Sequence, residues 1–237
     1  MEEIRTVATK YNIPVIEDAA EALGSKINGK SCGSFGLFGI LSFNGNKIIT
    51  TSGGGALLSD DAEFIQKARF LSTQSRDQAP HYEHTQIGYN YRMSNVLAGI
   101  GRGQMEVLDE RVSARRRNYE RYAAYFEKVN AKGYDIQFQP EPEGHFSNRW
   151  LTAITVDPKM NKGIDREFLR LAFEKENIEC RPLWKPMHLQ PVFSSYPFYG
   201  DGVSQRLFEN GLCLPSGSNL EEEDFERIFS VLDGIFK

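Results

Sequence analysis

The sequence predicts an α/β fold that passes through a long helix into a smaller α+β unit. Three observations predict this fold class. A helical pattern over residues 4–11 runs directly into an apolar strand-like segment at 14–16. Residues 35–59 alternate short apolar runs with turns rich in Gly and Asn. A helical pattern with few breaks then extends from residue 94 to about residue 129.

The first helix and strand form half of a βαβ unit. Apolar residues at the spacing i, i+3, i+4 and i+7 predict an amphipathic helix that Asn12 closes: Ile4, Val7, Ala8 and Tyr11. Pro14–Ile16 predicts a buried strand. Because no strand precedes the helix, we expect this chain to lack the front part of a larger fold.

The next segment predicts three strands and a helix. The strands are expected at Phe38–Phe43, Lys47–Thr50 and Ala56–Ser59. The helix is expected where apolar residues again follow helical spacing, at Phe64, Ile65, Ala68 and Leu71.

Ser94 predicts the start of the long helix, because a serine hydroxyl can cap the first free backbone amides. This helix is long enough to connect two domains, which we predict at residues 1–110 and 111–237. Its arginine-rich stretch at 111–121 is interleaved with glutamates, which favours a solvated helix face.

The second domain is predicted as a compact α+β unit that follows a loop at Gln139–Gly144. Its elements are a strand at Trp150–Val156, a helix around Phe168–Phe173, a strand at Ile178–Arg181 and a C-terminal helix. The C-terminal helix begins with three glutamates, as the helix dipole favours, and its predicted core residues are Phe225, Ile228, Phe229 and Leu232.

Composition excludes several classes of function. The chain has 237 residues, 40% of them hydrophobic and 25% charged, which is typical of globular proteins. A net charge of −4 argues against a nucleic-acid partner. No run of 18 apolar residues predicts a membrane span, and the N-terminus has no signal-peptide pattern. Three widely spaced cysteines suit a reducing compartment. We expect a cytoplasmic protein.

Two segments contain candidate functional residues. Asp18 follows the first predicted strand, and ligands of α/β folds bind at the carboxyl ends of strands. Taken alone, such an acid is more often a helix cap. Lys47 follows an Asn- and Gly-rich turn and precedes Gly53–Gly55, which permit a positive φ or a close approach to a ligand. An edge-strand lysine beside a flexible hairpin is an equally good interpretation of that segment.

Together these segments resemble the DegT/DnrJ/EryC1/StrS family of sugar aminotransferases, which belong to the fold-type I pyridoxal-phosphate enzymes. The resemblance covers essentially the whole chain. It is strongest in three ordered motifs, and it continues through shorter matches: Ile16–Gly24, Ser42–Lys47 with Gly53–Gly55, Gly88–Ser94, then Gln104–Asp109, Lys185–Gln190 and Leu212–Pro215.

The resemblance implies roles for five residues and pyridoxal 5′-phosphate as the cofactor. Lys47 corresponds to the Schiff-base lysine, which also moves the proton. Asp18 pairs with the pyridine nitrogen, and Ser42 donates to the phosphate. Asn90 reaches the phosphate of a neighbouring subunit, which implies a homodimer with shared active sites. Glu21 stands where many members carry Gln against the ring's 3′-oxygen, and a carboxylate there would repel that oxygen.

The resemblance also bears on the rest of the site. His188 is a candidate for the sugar site, although a lone histidine in a loop is more often a surface residue. His81 and His84 lack a third ligand, so no metal site is predicted. Family members carry, before the strand that ends at Asp18, a loop that holds the phosphate and an aromatic that stacks on the cofactor. We expect both to be missing from this chain.

The resemblance implies transfer of an amino group from glutamate to a nucleotide-linked keto-deoxysugar. Asn44–Lys47 and Thr50–Gly55 are most similar to members that act on UDP-linked 4-keto-6-deoxy N-acetyl sugars. Related members that dehydrate deoxysugars have His in place of the lysine, so Lys47 argues against dehydration. The alternative from another class is a non-catalytic remnant, an interaction or regulatory protein that retains the fold. An inactive truncation of the enzyme is also compatible with the sequence.

Overall fold

The structure is a computed structural model that describes residues 1–237. It contains seven α-helices and ten strands, in mixed order, as expected for an α/β protein. In chain order these are α1 Glu2–Lys10, β1 Ile16–Asp18, β2 Lys26–Ile27, β3 Lys30–Ser31, β4 Phe38–Ser42, β5 Gly55–Leu58, α2 Ala62–Ser72, α3 Asn95–Glu106, α4 Leu108–Asn130, β6 Ile136–Phe138, β7 His145–Phe146, β8 Thr152–Val156, α5 Arg166–Lys175, β9 Arg181–Pro182, α6 Val203–Asn210, β10 Gly211–Leu214 and α7 Glu222–Ile235.

The chain divides into two compact units that interleave in sequence. The first unit comprises residues 1–112 and 141–150, and the second comprises residues 113–140 and 151–237. Helix α4 therefore begins in the first unit and ends in the second. The return of residues 141–150 to the first unit is not anticipated by the sequence. The domain boundary at residue 110 stays a prediction.

The first unit is organised by a three-stranded sheet in the order β1-β4-β5. Strand β1 runs parallel to β4, with Asp18 opposite Ile40, and β5 runs antiparallel to β4. Because β1 and β4 are parallel, their carboxyl ends, Asp18 and Ser42, lie at the same edge of the sheet. A second small sheet, in the order β3-β2-β7, joins the 26–31 hairpin to residues 145–146.

Helix α1 and strand β1 form where the sequence predicts a helix followed by a strand, but the expected burial is wrong. Strand β1 lies two residues later than predicted, and Ile16 is 62% exposed. The apolar face of α1 is also exposed, at Ile4, Val7 and Tyr11. Strand β1 pairs only with β4, so one of its edges and the face that carries Ile16 remain uncovered.

The strand predicted at Lys47–Thr50 is wrong, because residues 43–51 close into a loop. The amide of Lys47 donates to Asn44 O at 3.1 Å, and the amide of Thr51 donates to Phe43 O at 2.9 Å. Ile48 and Ile49 are nevertheless buried. Their β-branched side chains, which suggested a strand, instead anchor the loop in the core. The neighbouring strands β4 and β5 and the helix α2 are confirmed to within one or two residues.

The long helical region is confirmed, with a break at Val107 between α3 and α4. The Ser94 hydroxyl accepts from the amide of Leu97 at 3.3 Å, as expected of an N-cap. The arginine-rich face of α4 is less solvated than predicted. The Arg115 guanidinium donates to Ser216 O, and burial lowers its pKa. Arg121 lies over the Phe225 ring at 4.0 Å and pairs with Glu222.

The second unit is an α+β layer, as predicted, built on an antiparallel sheet in the order β6-β8-β10-β9. Strand β10 is buried along its whole length, and the sequence analysis did not identify it as a strand. The core combines β8 and β10 with residues of α4, α5 and α7, which include Tyr122, Phe126, Leu169, Phe173, Phe225, Ile228 and Leu232. Burying each such side chain stabilises the fold by about 1.5–3 kcal/mol. None of the helices combines the length and apolar character needed to cross a membrane.

Candidate active site

The candidate site begins at the shared carboxyl edge of β1 and β4. Asp18 ends β1 and is exposed, and its carboxylate accepts only from the nearby amide of Ala20, at 3.1 Å. Ser42 ends β4, and its hydroxyl oxygen accepts from the amide of Asn44 at 3.4 Å. No helix starts directly after β1, so Asp18 is not a helix cap. The sheet therefore presents a carboxylate and a hydroxyl at the edge where α/β folds bind ligands.

Lys47 lies in the loop that follows Ser42, and its side chain is only 13% exposed. Its Nζ is 3.0 Å from Glu21 Oε1, with the Glu21 side chain 47% exposed. The same Nζ lies 4.5 Å from the centroid of the Trp150 ring. The ammonium group therefore has a carboxylate and an aromatic face as neighbours. Both contacts favour a cation.

The sequence does not predict the contact between Lys47 and Glu21. The family resemblance implied a place for Glu21 near a cofactor oxygen, where a carboxylate would be repelled. Glu21 and Lys47 are 26 positions apart and lie in two different loops. Sequence periodicity relates only residues of one helix or strand, so it could not have predicted this contact. The carboxylate that would repel a ring oxygen has the Lys47 ammonium as its counter-ion in this structure.

Glu17 is a second carboxylate that the sequence analysis did not single out. It accepts from the amides of Gly33 at 2.6 Å and Phe35 at 2.9 Å, each with a different oxygen. These bonds tie the 33–35 loop to β1, next to Asp18. Burial, reinforced by the Glu17 charge, raises the pKa of the adjacent Cys32 thiol. Glu17 is thus a structural residue of the site.

The glycines after Lys47 are required by the backbone conformation and packing of the loop itself. Gly54 has a φ of +86°, which other residues rarely adopt, and a Cβ on Gly55 would collide with Leu41 O across the sheet. A side chain on Gly53 would meet nothing within 4 Å. The run therefore shapes the return from the Lys47 loop into β5.

Asn90 lies on another segment of the first unit, in an isolated bridge with Thr73 at the end of α2. Its side chain is exposed, and no hydrogen bond joins it to Lys47, Asp18 or Ser42. A Cβ on Gly88 would lie 2.5 Å from Ser75 N, so the chain needs glycine there to reach this position. The structure joins Lys47 to Glu21 by an ion pair, whereas Asn90 is joined to neither by a hydrogen bond.

His188 belongs to the second unit and lies in a short 3₁₀ turn, Met187–Leu189. Its imidazole stacks on the Phe198 ring with centroids 3.7 Å apart. The buried Nε2 atom has no hydrogen-bond partner in the protein. This histidine is therefore half-buried and partly unsatisfied, unlike an ordinary surface residue.

Three side chains of the first unit have the functional groups that pyridoxal phosphate requires. An aldehyde requires a primary amine, a protonated ring nitrogen requires a carboxylate, and a phosphate requires hydroxyl or amide donors. Lys47, Asp18 and Ser42 supply these three groups along 30 residues of one sheet edge and its loops.

Comparison with known proteins agrees with this chemistry. The sequence profile of the DegT/DnrJ/EryC1/StrS aminotransferase family matches residues 1–233. The Bacillus subtilis protein EpsN, whose name describes a pyridoxal phosphate-dependent aminotransferase, is 50% identical over all of this chain and 60% of its own length. A Campylobacter jejuni UDP-4-amino-4,6-dideoxy-N-acetyl-beta-L-altrosamine transaminase is 39% identical over all of this chain and 63% of its own length.

Solved structures show the same fold. A DegT/DnrJ/EryC1/StrS aminotransferase from Brucella abortus superposes with a TM-score of 0.85 at 27% identity. The match covers 99% of this chain and 60% of the Brucella chain. This chain thus spans about 60% of the length of the relatives that it matches. It belongs to the DegT/DnrJ/EryC1/StrS aminotransferase family, a family of pyridoxal-phosphate-dependent sugar aminotransferases.

Proposed function

We propose that this chain carries the catalytic lysine of an enzyme that transfers an amino group from glutamate to a nucleotide-linked keto-deoxysugar. One observation carries the proposal. The Lys47 side chain is largely buried and its amine has Glu21 at 3.0 Å, in a loop that follows the sheet edge bearing Asp18 and Ser42. A lysine of a flexible surface hairpin, the alternative interpretation of the sequence, would be exposed.

Each residue has a role in this proposal. When bound, pyridoxal phosphate supplies an electron-withdrawing ring that stabilises negative charge on the carbon that loses its proton. Lys47 would hold the cofactor through Nζ and, once released from it, would move that proton. Asp18 holds a proton on the ring nitrogen, because its carboxylate is the negative partner of the cation. Ser42 would donate a hydrogen bond from its hydroxyl group to the phosphate.

A cofactor held at Nζ would compete with Glu21 for the Lys47 nitrogen. The Glu21 side chain is 47% exposed, so its carboxylate could then turn towards solvent and away from the ring oxygen.

Asn90 is proposed to act on the site of a second copy, since its side chain is exposed and the hydrogen bond of Lys47 goes to Glu21 in the same chain. The proposed enzyme is a cytoplasmic homodimer with shared active sites. Mixing Lys47→Ala and Asn90→Ala proteins would then restore activity in a quarter to a half of the sites. Mixtures no more active than either variant would contradict site sharing.

The proposed acceptor is a UDP-linked 4-keto-6-deoxy N-acetyl sugar. The motif around Lys47 supports this choice, and so does the 39% identity to a transaminase whose name contains a UDP-linked dideoxy N-acetyl sugar. His188 is proposed to line the sugar site, because its buried Nε2 atom lacks a partner that a sugar hydroxyl could supply.

A half-reaction assay tests the activity. The purified chain is incubated with pyridoxal phosphate, and its visible absorbance is recorded before and after addition of glutamate. Amino-sugar product is then measured by mass spectrometry with UDP- and GDP-linked 4-keto-6-deoxysugars. We expect a glutamate-dependent loss of the visible band and product from the UDP-linked sugar. Lys47→Ala should abolish both, whereas the matched control Lys26→Ala should retain both.

The outcomes separate the parts of the proposal. Faster turnover of the GDP-linked sugar would contradict the nucleotide assignment alone. A band that does not respond to glutamate would contradict the amino donor. Unchanged product formation by Lys47→Ala would contradict the catalytic role of this lysine.

The second candidate is a non-catalytic protein that keeps the fold, either a remnant or an interaction protein. One observation favours it: Ile16, Ile40 and Leu57 form an exposed apolar surface on the sheet face shared with Asp18. Exposed apolar surfaces mark interaction sites. A chain that remains folded by circular dichroism but gives neither a visible band nor product would contradict catalysis by this chain and would be consistent with the non-catalytic candidate.

A further inference from the structure

One short segment contacts both loops of the candidate site. Residues 148–150, here called the clamp segment, follow the loop that leads back from the second unit and belong to the first unit. Asn148 and Trp150 are both buried, at 4% and 6% exposure. The sequence predicts a strand that starts at Trp150, whereas β8 begins only at Thr152.

Asn148 binds the loop that carries Glu21. Its Nδ2 donates to Glu21 O and to Leu23 O, both at 2.9 Å, and its backbone amide donates to Ser25 Oγ at 2.9 Å. Its Oδ1 accepts from the amide of Trp150 at 3.0 Å. Both amide hydrogens and the oxygen of the side chain are therefore used. An apolar residue could fill this space but could not fix the two carbonyl groups.

Trp150 binds the turn that carries Lys47. Its indole Nε1 donates to Asn46 O at 2.7 Å, and its ring lies 4.5 Å from Lys47 Nζ. The hydrogen bond fixes the residue before the lysine, and the aromatic face limits where the ammonium group can go. Asn148 and Trp150 are joined by their own hydrogen bond, so the two loops share one support.

We propose that Asn148 and Trp150 are positioning residues, which set the Lys47 amine and the Glu21 carboxylate at their contact distance. The importance of this positioning for catalysis rests on the proposed function. The positioning itself is a property of the protein without cofactor. If it holds, loss of either support changes the reactivity of Lys47 while leaving Lys47 and Glu21 themselves in place.

The test is competitive labelling of lysines in the cofactor-free protein. Reductive methylation is followed by mass spectrometry of the peptides that contain Lys47 and Lys26, an exposed lysine of the same unit. Trp150→Leu removes the ring face and the Nε1 donor, so the labelling of Lys47 relative to Lys26 should rise about three- to tenfold. Trp150→Phe keeps a ring face and should show a smaller rise.

Asn148→Ala leaves the Trp150 ring intact and releases Glu21 O and Leu23 O. It should also raise the ratio, since the Glu21 loop is no longer fixed. Matched controls are Trp184→Phe, at an exposed tryptophan of the second unit, and Asn95→Ala, at an exposed asparagine of α3. Both controls should leave the ratio unchanged.

A purely structural role gives a different result. Lower melting temperatures in the clamp variants with an unchanged labelling ratio in the folded protein would overturn the proposal. If circular dichroism shows that the Trp150→Leu protein is unfolded, the test is made with Trp150→Phe and Asn148→Ala. The ratio is measured without cofactor, so it can change even where no cofactor band forms. Such a result would support the positioning role and count against the proposed function.

Discussion

Replacing Glu17 with Gln should loosen the loop beside Asp18 while leaving the overall fold intact. Glu17 uses one carboxylate oxygen for the amide of Gly33, at 2.6 Å, and the other for the amide of Phe35, at 2.9 Å. A glutamine has the same shape but only one oxygen. One of the two amides would therefore face an NH₂ group, which is also a donor.

The expected magnitude follows from the lost bond. A hydrogen bond to a charged group stabilises a protein by about 1.5–3 kcal/mol. A loss of about 2 kcal/mol corresponds to a roughly 30-fold larger equilibrium constant for opening of the loop, and so to roughly 30-fold faster exchange of its amides. Hydrogen exchange of the peptide containing residues 33–36 measures this directly, because the two amides of Gly33 and Phe35 lie in it. The matched control is Glu63→Gln, an exposed residue on α2.

Cys32 provides a second and independent assay. Burial and the Glu17 charge together raise the pKa of its thiol. Removing the charge should lower that pKa, so that more thiolate is present at pH 8 and alkylation is faster. Unchanged exchange of residues 33–36 together with unchanged Cys32 alkylation in the folded Glu17→Gln protein would refute the reasoning.

Three further changes test the account elsewhere in the chain. Phe225→Ala should lower the free energy of unfolding of the second unit by about 3–5 kcal/mol in urea, since Phe225 is fully buried; a loss below about 1 kcal/mol would contradict the core assignment. Burial raises the pKa of Cys180 to about 12 and also raises that of Tyr122, so both stay protonated in the folded state. Because the unfolded thiol ionises near pH 9, the free energy of unfolding should be constant below that pH and should fall as the pH rises towards 12. Urea unfolding midpoints at pH 8 and pH 10.5 would show this fall. Equal midpoints would exclude a stabilising effect of the raised pKa values. Gly88→Ala should cost about 1–3 kcal/mol, because its Cβ would press on Ser75, and an unchanged melting temperature would argue against this packing.

The helices could be predicted from the sequence because their signals are local. The serine cap at Ser94 and the spacing of Phe225, Ile228 and Leu232 depend only on neighbouring residues, and the structure confirms both. Strand signals are weaker, since a short apolar run can be buried without a strand. Ile48 and Ile49 illustrate this: they are buried in a loop whose hydrogen bonds close between Phe43 and Thr51.

The residue types of the candidate site could be found from motifs, but their contacts could not. Asp18 and Lys47 stand out by their places after strand-like runs. The Lys47–Glu21 ion pair depends on two loops meeting, and the clamp segment that supports both lies about 100 residues further along the chain. No local pattern marks Asn148 or Trp150, because their role follows from the return of residues 141–150 to the first unit.

The exposed surfaces of the first unit could not be predicted from periodicity either. The spacing of Ile4, Val7 and Tyr11 indicates one apolar face, and a helix in a folded domain normally buries such a face. Here that face is exposed, and so is Ile16 on the adjacent strand. A pattern reports which residues would suit a core, whereas burial depends on what packs against them.

The central claim is that Lys47 is the residue that binds the cofactor. Its most direct test is reduction of the chain with borohydride in the presence of pyridoxal phosphate, followed by peptide mapping. The account predicts that the added mass lies on the Lys47 peptide, at a level well above that on the exposed Lys26. Modification spread over surface lysines, with Lys47 no more modified than Lys26, would contradict it.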